Sequence, residues 1–155
     1  MIKVMFVCHG NICRSPMAEF VFRHMVKEKK LSDIFLISSS ATSREEIGND
    51  VHLGTRKKLR EVGVPCDSRT AVQLTKRDYE NYDYILCMES YNIKNAQRIV
   101  GEDKAGKIRR LLDFSSNPRD IADPWYTGNF HETYGDIVEG CEALLEHILE
   151  KGIIW

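Results

Sequence analysis

The chain has 155 residues, enough for one sizeable hydrophobic core and short for two ordinary domains, so residues 1–155 are expected to form a single domain. Hydrophobic residues make up 43% and charged residues 29%, which excludes a disordered or fibrous chain, and a net charge of −1 excludes the strongly basic footprint of a nucleic-acid binder. No apolar run reaches the roughly 18 residues of a membrane span, and the run ending at Cys8 is too short for a signal-peptide core, so the expectation is a cytoplasmic protein without membrane association.

Lys3–Cys8 reads as a buried strand followed by Gly10 and Asn11. Ser15 is placed to cap a helix with Pro16 at its first position, and Met17, Phe20, Val21 and Met25 continue it to about Lys30. Ile34–Ile37 is a second strand, and 38–49 reads as a hydroxyl-rich loop. A helix from about Val51 ends at Gly63, and its Arg56–Arg60 cluster is read as a solvated face. Thr75 and Asp78 have capping-box spacing for a short helix. Asp83–Met88 is a third strand, followed by a helix to about Val100. Lys107–Leu112 is a shorter fourth strand, and 117–129 is a loop. Phe130–Glu150 is the last helix, with Tyr134, Ile137, Cys141, Leu144, Leu145 and Ile148 on one stripe. This alternation predicts an α/β fold: a four-stranded parallel sheet with helices on both faces, of Rossmann-like type.

The chain has five cysteines at irregular spacing, so reduced thiols rather than a disulfide framework are expected. Cys8, His9 and Cys13 lie close together, but no second pair answers them as zinc ligands, and neither a metal nor a cofactor is expected.

The segment Cys8-His9-Gly10-Asn11-Ile12-Cys13-Arg14-Ser15 joins the first strand to the first helix. In an open α/β sheet, ligands bind at this end of the strands. A loop running into a helix gathers backbone N–H groups around one point, with the positive end of the helix dipole behind them. The pattern is not a nucleotide loop, since no Gly-Lys-Ser/Thr closes it. It begins instead with a thiol and ends with a guanidinium. The same cradle favours the thiolate of a cysteine placed in it. Arg14 can fork two N–H bonds onto an anion above the sulfur, and Ser15 can donate to the thiolate or cap the helix. A nucleophile, an oxyanion cradle and a clamp for equatorial oxygens suit phosphoryl transfer onto sulfur. The competing reading of Cys8 is a small buried residue at a strand end. Gly10 and Asn11, which both tolerate positive φ, favour the functional one.

The segment Phe6–Glu19 resembles the signature of the low-molecular-weight protein tyrosine phosphatases, and the resemblance extends over nearly the whole chain. Ser39-Ser40-Ala41-Thr42 with Ile47-Gly48-Asn49 is similar to that family's second loop. Thr75-Lys76 and Asp83–Met88 match its middle, and Asp123-Pro124-Trp125-Tyr126 is similar to its Asp-Pro-aromatic loop. The resemblance implies a metal-independent phosphatase acting through a phosphocysteine, with phosphotyrosine-containing proteins as substrates. Phosphate, sulfate or vanadate would bind in the loop.

It makes Cys8 the nucleophile, Arg14 the clamp and Asp123 the general acid and later base. His9, Gly10, Asn11, Ile12, Cys13 and Ser15 would form the substrate loop. Ile12, Trp125 and Tyr126 would wall the aromatic slot, with Glu45 at its rim and Ser39 holding Asn11 by a hydrogen bond. It also implies a reversible Cys8–Cys13 disulfide that shelters the nucleophile. Two positions depart from the pattern. His9 stands where many members carry an apolar residue or threonine, and Glu45 stands where the second-loop wall is commonly aromatic. Bacterial relatives acting on protein phosphoarginine share this scaffold and tend to carry threonine after the cysteine, which His9 argues against. A thiol-dependent arsenate reductase would need a close downstream cysteine pair, and Cys66 and Cys87 are far apart in sequence.

Overall fold

The computed structural model describes residues 1–152. Four parallel strands, β1 (Ile2–Cys8), β2 (Phe35–Ala41), β3 (Tyr84–Cys87) and β4 (Ile108–Arg110), form one sheet in the order β2-β1-β3-β4. The helices are α1 (Arg14–Glu28), α2 (Leu53–Glu61), α3 (Lys76–Asn81), α4 (Ser90–Val100), α5 (Pro124–Thr127) and α6 (Phe130–Glu150). The expected α/β architecture is therefore observed, with four strands. Among the described residues, no helix is long and apolar enough to cross a membrane.

The two-residue period of β1 sorts its side chains between two layers. Val4, Phe6 and Cys8 join the larger core beneath α1 and α6, where Phe22 stacks edge-on between Phe6 and Phe35. Met5 and Val7 face the smaller core with Ile85, Cys87, Ala96 and Ile108. Thr75 and Asp78 close the expected capping box: the Asp78 N–H donates to Thr75 Oγ1 at 3.2 Å, and the Thr75 N–H to Asp78 Oδ2 at 2.9 Å.

The stretch 117–129, expected as a loop, contains the short helix α5 because Asp123 caps it and Pro124 opens it, and several boundaries also differ from the sequence reading. Strand β2 continues through Ser38–Ala41, where a loop was expected, because Ser39 and Ser40 pair with Phe6 and Val7 and are buried with partnered hydroxyls. The fourth strand stops at Arg110, and Leu111–Phe114 is a 3₁₀ turn whose Leu111 packs under Gly140 of α6. Helix α1 begins at Arg14 after Cys13, with no side-chain cap, so Ser15 does not cap it.

Strand order reverses at β1, with β2 on one side and β3 on the other. The crevice at such a switch point lies between the loops after β1 and β3. The Cys8–Cys13 loop and Glu89 both lie there.

Candidate active site

Cys8 ends β1 with 3% of its surface exposed. Its sulfur receives the backbone N–H of Asn11 at 3.2 Å and of Ser15 at 3.4 Å, and lies 3.0 Å from the Ser15 hydroxyl. Two backbone N–H donors and a hydroxyl from one loop thus converge on one sulfur, an arrangement suited to a thiolate. Asn11 makes the turn possible by adopting φ 59, and its Nδ2 donates to Ser39 Oγ at 2.9 Å, as expected. Gly10 does not have the positive φ expected of it. Its small size matters instead, since an added Cβ would sit 3.3 Å from Glu46 Cγ.

Arg14 opens α1 and is 2% exposed. Its Nη1 donates to Glu89 Oε2 at 2.5 Å and to the Ile121 carbonyl at 2.8 Å, while Nη2 lies 3.3 Å from Asp123 Oδ2. Burial works against the charge. The negative charges of Cys8, Asp123 and Glu89 outweigh it and hold the Arg14 pKa above its ordinary value. Asp123 caps α5 through a 3.0 Å bond from Trp125 N–H to Oδ1, which leaves Oδ2 facing Arg14. Burial first, then the nearby Cys8 and Asp123, pushes the Cys13 thiol up to about 12, so Cys13 stays protonated beside the Cys8 sulfur.

One cleft collects most of the expected residues. Cys8, His9, Gly10, Ile12, Cys13 and Arg14 line it together with Asp123, Trp125 and Tyr126 and with Glu45 and Glu46. Trp125 and Tyr126 are largely exposed. Glu45 hydrogen-bonds His9 across the rim. Asn11, Ser15 and Ser39 do not line the cleft: their buried side chains lie behind the loop, and Ser15 reaches the site through its N–H and hydroxyl on sulfur. The described residues contain no cluster of metal-ligating side chains.

The chain matches the family model described as low molecular weight phosphotyrosine protein phosphatase over residues 3–153. It belongs to that family. The phosphatase is 42% identical to the Bacillus subtilis low molecular weight protein-tyrosine-phosphatase YfkJ over 153 residues, covering 97% of this chain and 98% of the relative. The crystal structure of YfkJ superposes with a TM-score of 0.94, covering 99% of this chain and 98% of that one. The human low molecular weight phosphotyrosine protein phosphatase is 39% identical over 149 residues, covering 93% and 94% of the two chains. A Drosophila arginine phosphatase is 27% identical, with a TM-score of 0.86 and coverage of 95% and 98%.

Two residues of the phosphatase site escaped the sequence reading. Glu89 follows β3 at the carboxyl edge of the sheet, a position that topology alone marks for ligands. Arg69 contacts Asn11 across 58 residues of sequence and carries no local signal.

Proposed function

We propose that the protein hydrolyses phosphotyrosine in protein substrates, with Cys8 as nucleophile, Arg14 as clamp and Asp123 as general acid and base. The observation that carries this reading is the convergence of two backbone N–H groups and the Ser15 hydroxyl on the Cys8 sulfur beside a buried guanidinium. A phosphoryl dianion binding in the loop exchanges the Asp123–Arg14 contact for its own oxygens. The thiolate then attacks phosphorus and the P–O bond to the ring breaks, while Asp123 gives its proton to the leaving oxygen. This leaves a phosphocysteine. Water next attacks phosphorus, Asp123 takes the water's proton, the P–S bond breaks and phosphate leaves. No step needs a metal or cofactor. The family scaffold and the absence of a described membrane-spanning helix are compatible with work in the cytoplasm.

The deciding experiment is turnover of an aryl phosphate by wild type and Cys8→Ser in EDTA, alongside iodoacetate alkylation. Wild type should turn over with EDTA present, Cys8→Ser should lose activity, and phosphate or vanadate should protect Cys8. A Cys8 that alkylates no faster than Cys66 at acidic pH sinks the assignment.

A thiol-dependent arsenate reductase is disfavoured. Cys87 and Cys141 are fully buried, and burial raises both thiols, so they are poor candidates for a downstream resolving pair. Phosphoarginine remains the second reading, because the cleft is lined by the carboxylates Glu45 and Glu46 as well as by Trp125 and Tyr126. Glu45→Tyr should restore a stacking wall and raise kcat/KM for aromatic phosphopeptides by about two- to tenfold. Glu45 and Glu46 should also make acidic phosphopeptides weaker competitors than basic ones at low salt. Equal competition by both peptide classes would remove the rim from any role in selectivity.

A further inference from the structure

The hydroxyl of Ser15 can either give its proton to the Cys8 sulfur or receive a hydrogen bond from it, and only the first helps a thiolate. Its direction follows from groups outside the phosphate loop. Arg69, in the segment between α2 and α3, donates through Nη1 to the Asn11 carbonyl at 2.7 Å and through Nη2 to Asn11 Oδ1. The Val72 N–H donates to the same Oδ1 at 3.2 Å. A guanidinium and a peptide N–H can only donate, so the Asn11 side-chain oxygen must face them. The Asn11 NH₂ must then face the other way, where it donates to Ser15 Oγ at 2.7 Å and to Ser39 Oγ at 2.9 Å. Among the described residues the only other partner of Ser15 Oγ is the Cys8 sulfur 3.0 Å away, and a thiolate can only accept, so with the Asn11 NH₂ directed onto its lone pair the hydroxyl gives its proton to the sulfur. Ser39 is fixed in the same sense. It accepts from Asn11 and, at 3.1 Å, from Arg69, and passes its proton to Glu19 at 2.5 Å.

We propose that Arg69 is a positioning residue for the nucleophile: by fixing which way the Asn11 amide points, it makes Ser15 a hydrogen-bond donor to Cys8. Arg69 touches neither the sulfur nor the substrate cleft. Its two-pronged grip on the Asn11 carbonyl and side chain also holds the left-handed turn that aims the Asn11 N–H at the sulfur. A planar fork with two donor nitrogens suits this task, and a lysine ammonium, as a point charge, does not reproduce it. The inference rests on Cys8 being the nucleophile, and its test reads the sulfur directly rather than turnover.

The experiment is the pH profile of iodoacetate alkylation of Cys8 in wild type, Arg69→Lys, Arg69→Met, Ser15→Ala and the Arg69→Met/Ser15→Ala pair, with thermal melts of each. Arg69→Met should displace the profile to alkaline pH and slow alkylation at acidic pH by at least about tenfold, the size expected for a lost hydrogen bond to a charged acceptor. Arg69→Lys should do most of the same although it keeps the charge, and this carries the test if the Met variant fails to fold. The double variant should be hardly slower than the slower single one, because both remove the same proton from the sulfur. Three results overturn the proposal. One is a lowered melting temperature with an unmoved alkylation profile, which makes Arg69 structural only. Another is a wild-type profile in Arg69→Lys, which makes its charge alone sufficient. The third is full additivity in the double variant, which separates Arg69 from the Ser15 hydroxyl. A wild-type Cys8 without enhanced reactivity would instead overturn the nucleophile assignment itself, and this proposal with it.

Discussion

Arg14→Lys is expected to lower kcat for aryl phosphates by about 10²- to 10³-fold, the loss typical of one preorganised donor to a transition-state oxyanion. The guanidinium is not free to choose its plane. Glu89 and the Ile121 carbonyl both hold Nη1, so the remaining N–H groups face the site in a fixed orientation. That orientation suits two phosphoryl oxygens, whose charge is greatest as phosphorus passes between the leaving oxygen and sulfur. An ammonium on a flexible stem keeps the charge but meets one oxygen at a time. It also leaves Glu89 competing with the substrate for the same cation. The loss should therefore fall on kcat more than on the affinity for inorganic phosphate, which needs charge more than geometry. Steady-state kinetics and phosphate inhibition on the same preparation check this. A near-normal kcat would mean that Arg14 serves the fold alone.

Local chemistry explains which parts of this site were legible in the sequence. The strand, anion loop and following helix stand out because an apolar run, two turn-prone residues and Ser15-Pro16 are neighbours in the chain. The same locality misled at Ser15. A serine before proline is a good cap by composition, but here the hydroxyl turns back to the Cys8 sulfur, and α1 starts without a side-chain cap. Ser38–Ala41 looked like loop because hydroxyls dominate it. Pairing with β1, together with the Glu19 carboxylate and Met5 sulfur as partners, lets the serines be buried. Glu89 and Arg69 act across 75 and 58 residues of sequence. Nothing beside them in the chain marks them, because their partners come together only when β1 and β3 pair and the segment after α2 folds over the loop.

Asp123→Asn is expected to lower turnover of phosphotyrosine by about 10²- to 10⁴-fold, the usual contribution of general acid catalysis. A phenol of pKa about 10 leaves slowly as a bare phenolate, so a positioned proton matters. Asparagine keeps the cap on Trp125 N–H and the shape of the loop but has no proton to give. An activated aryl phosphate with a more acidic phenol should lose less in its first step. The reaction needs Cys8 ionised and Asp123 protonated together, so wild-type kcat/KM should fall on both sides of an optimum, and Asp123→Asn should lose the basic limb. The neighbouring carboxyl Asp120 is poorly suited to replace it. Burial acts to raise its pKa, but bonds from the Ser90 N–H, Arg110 and the Ser90 hydroxyl outweigh that effect and hold it below the ordinary carboxylate value. Asp120 therefore holds a proton less readily than an ordinary carboxyl does. The measurement is a set of pH–rate profiles for both proteins over aryl phosphates of graded leaving-group acidity. Equal losses across the series, or an intact basic limb in the variant, would show that Asp123 only shapes its loop and that the proton comes from another group.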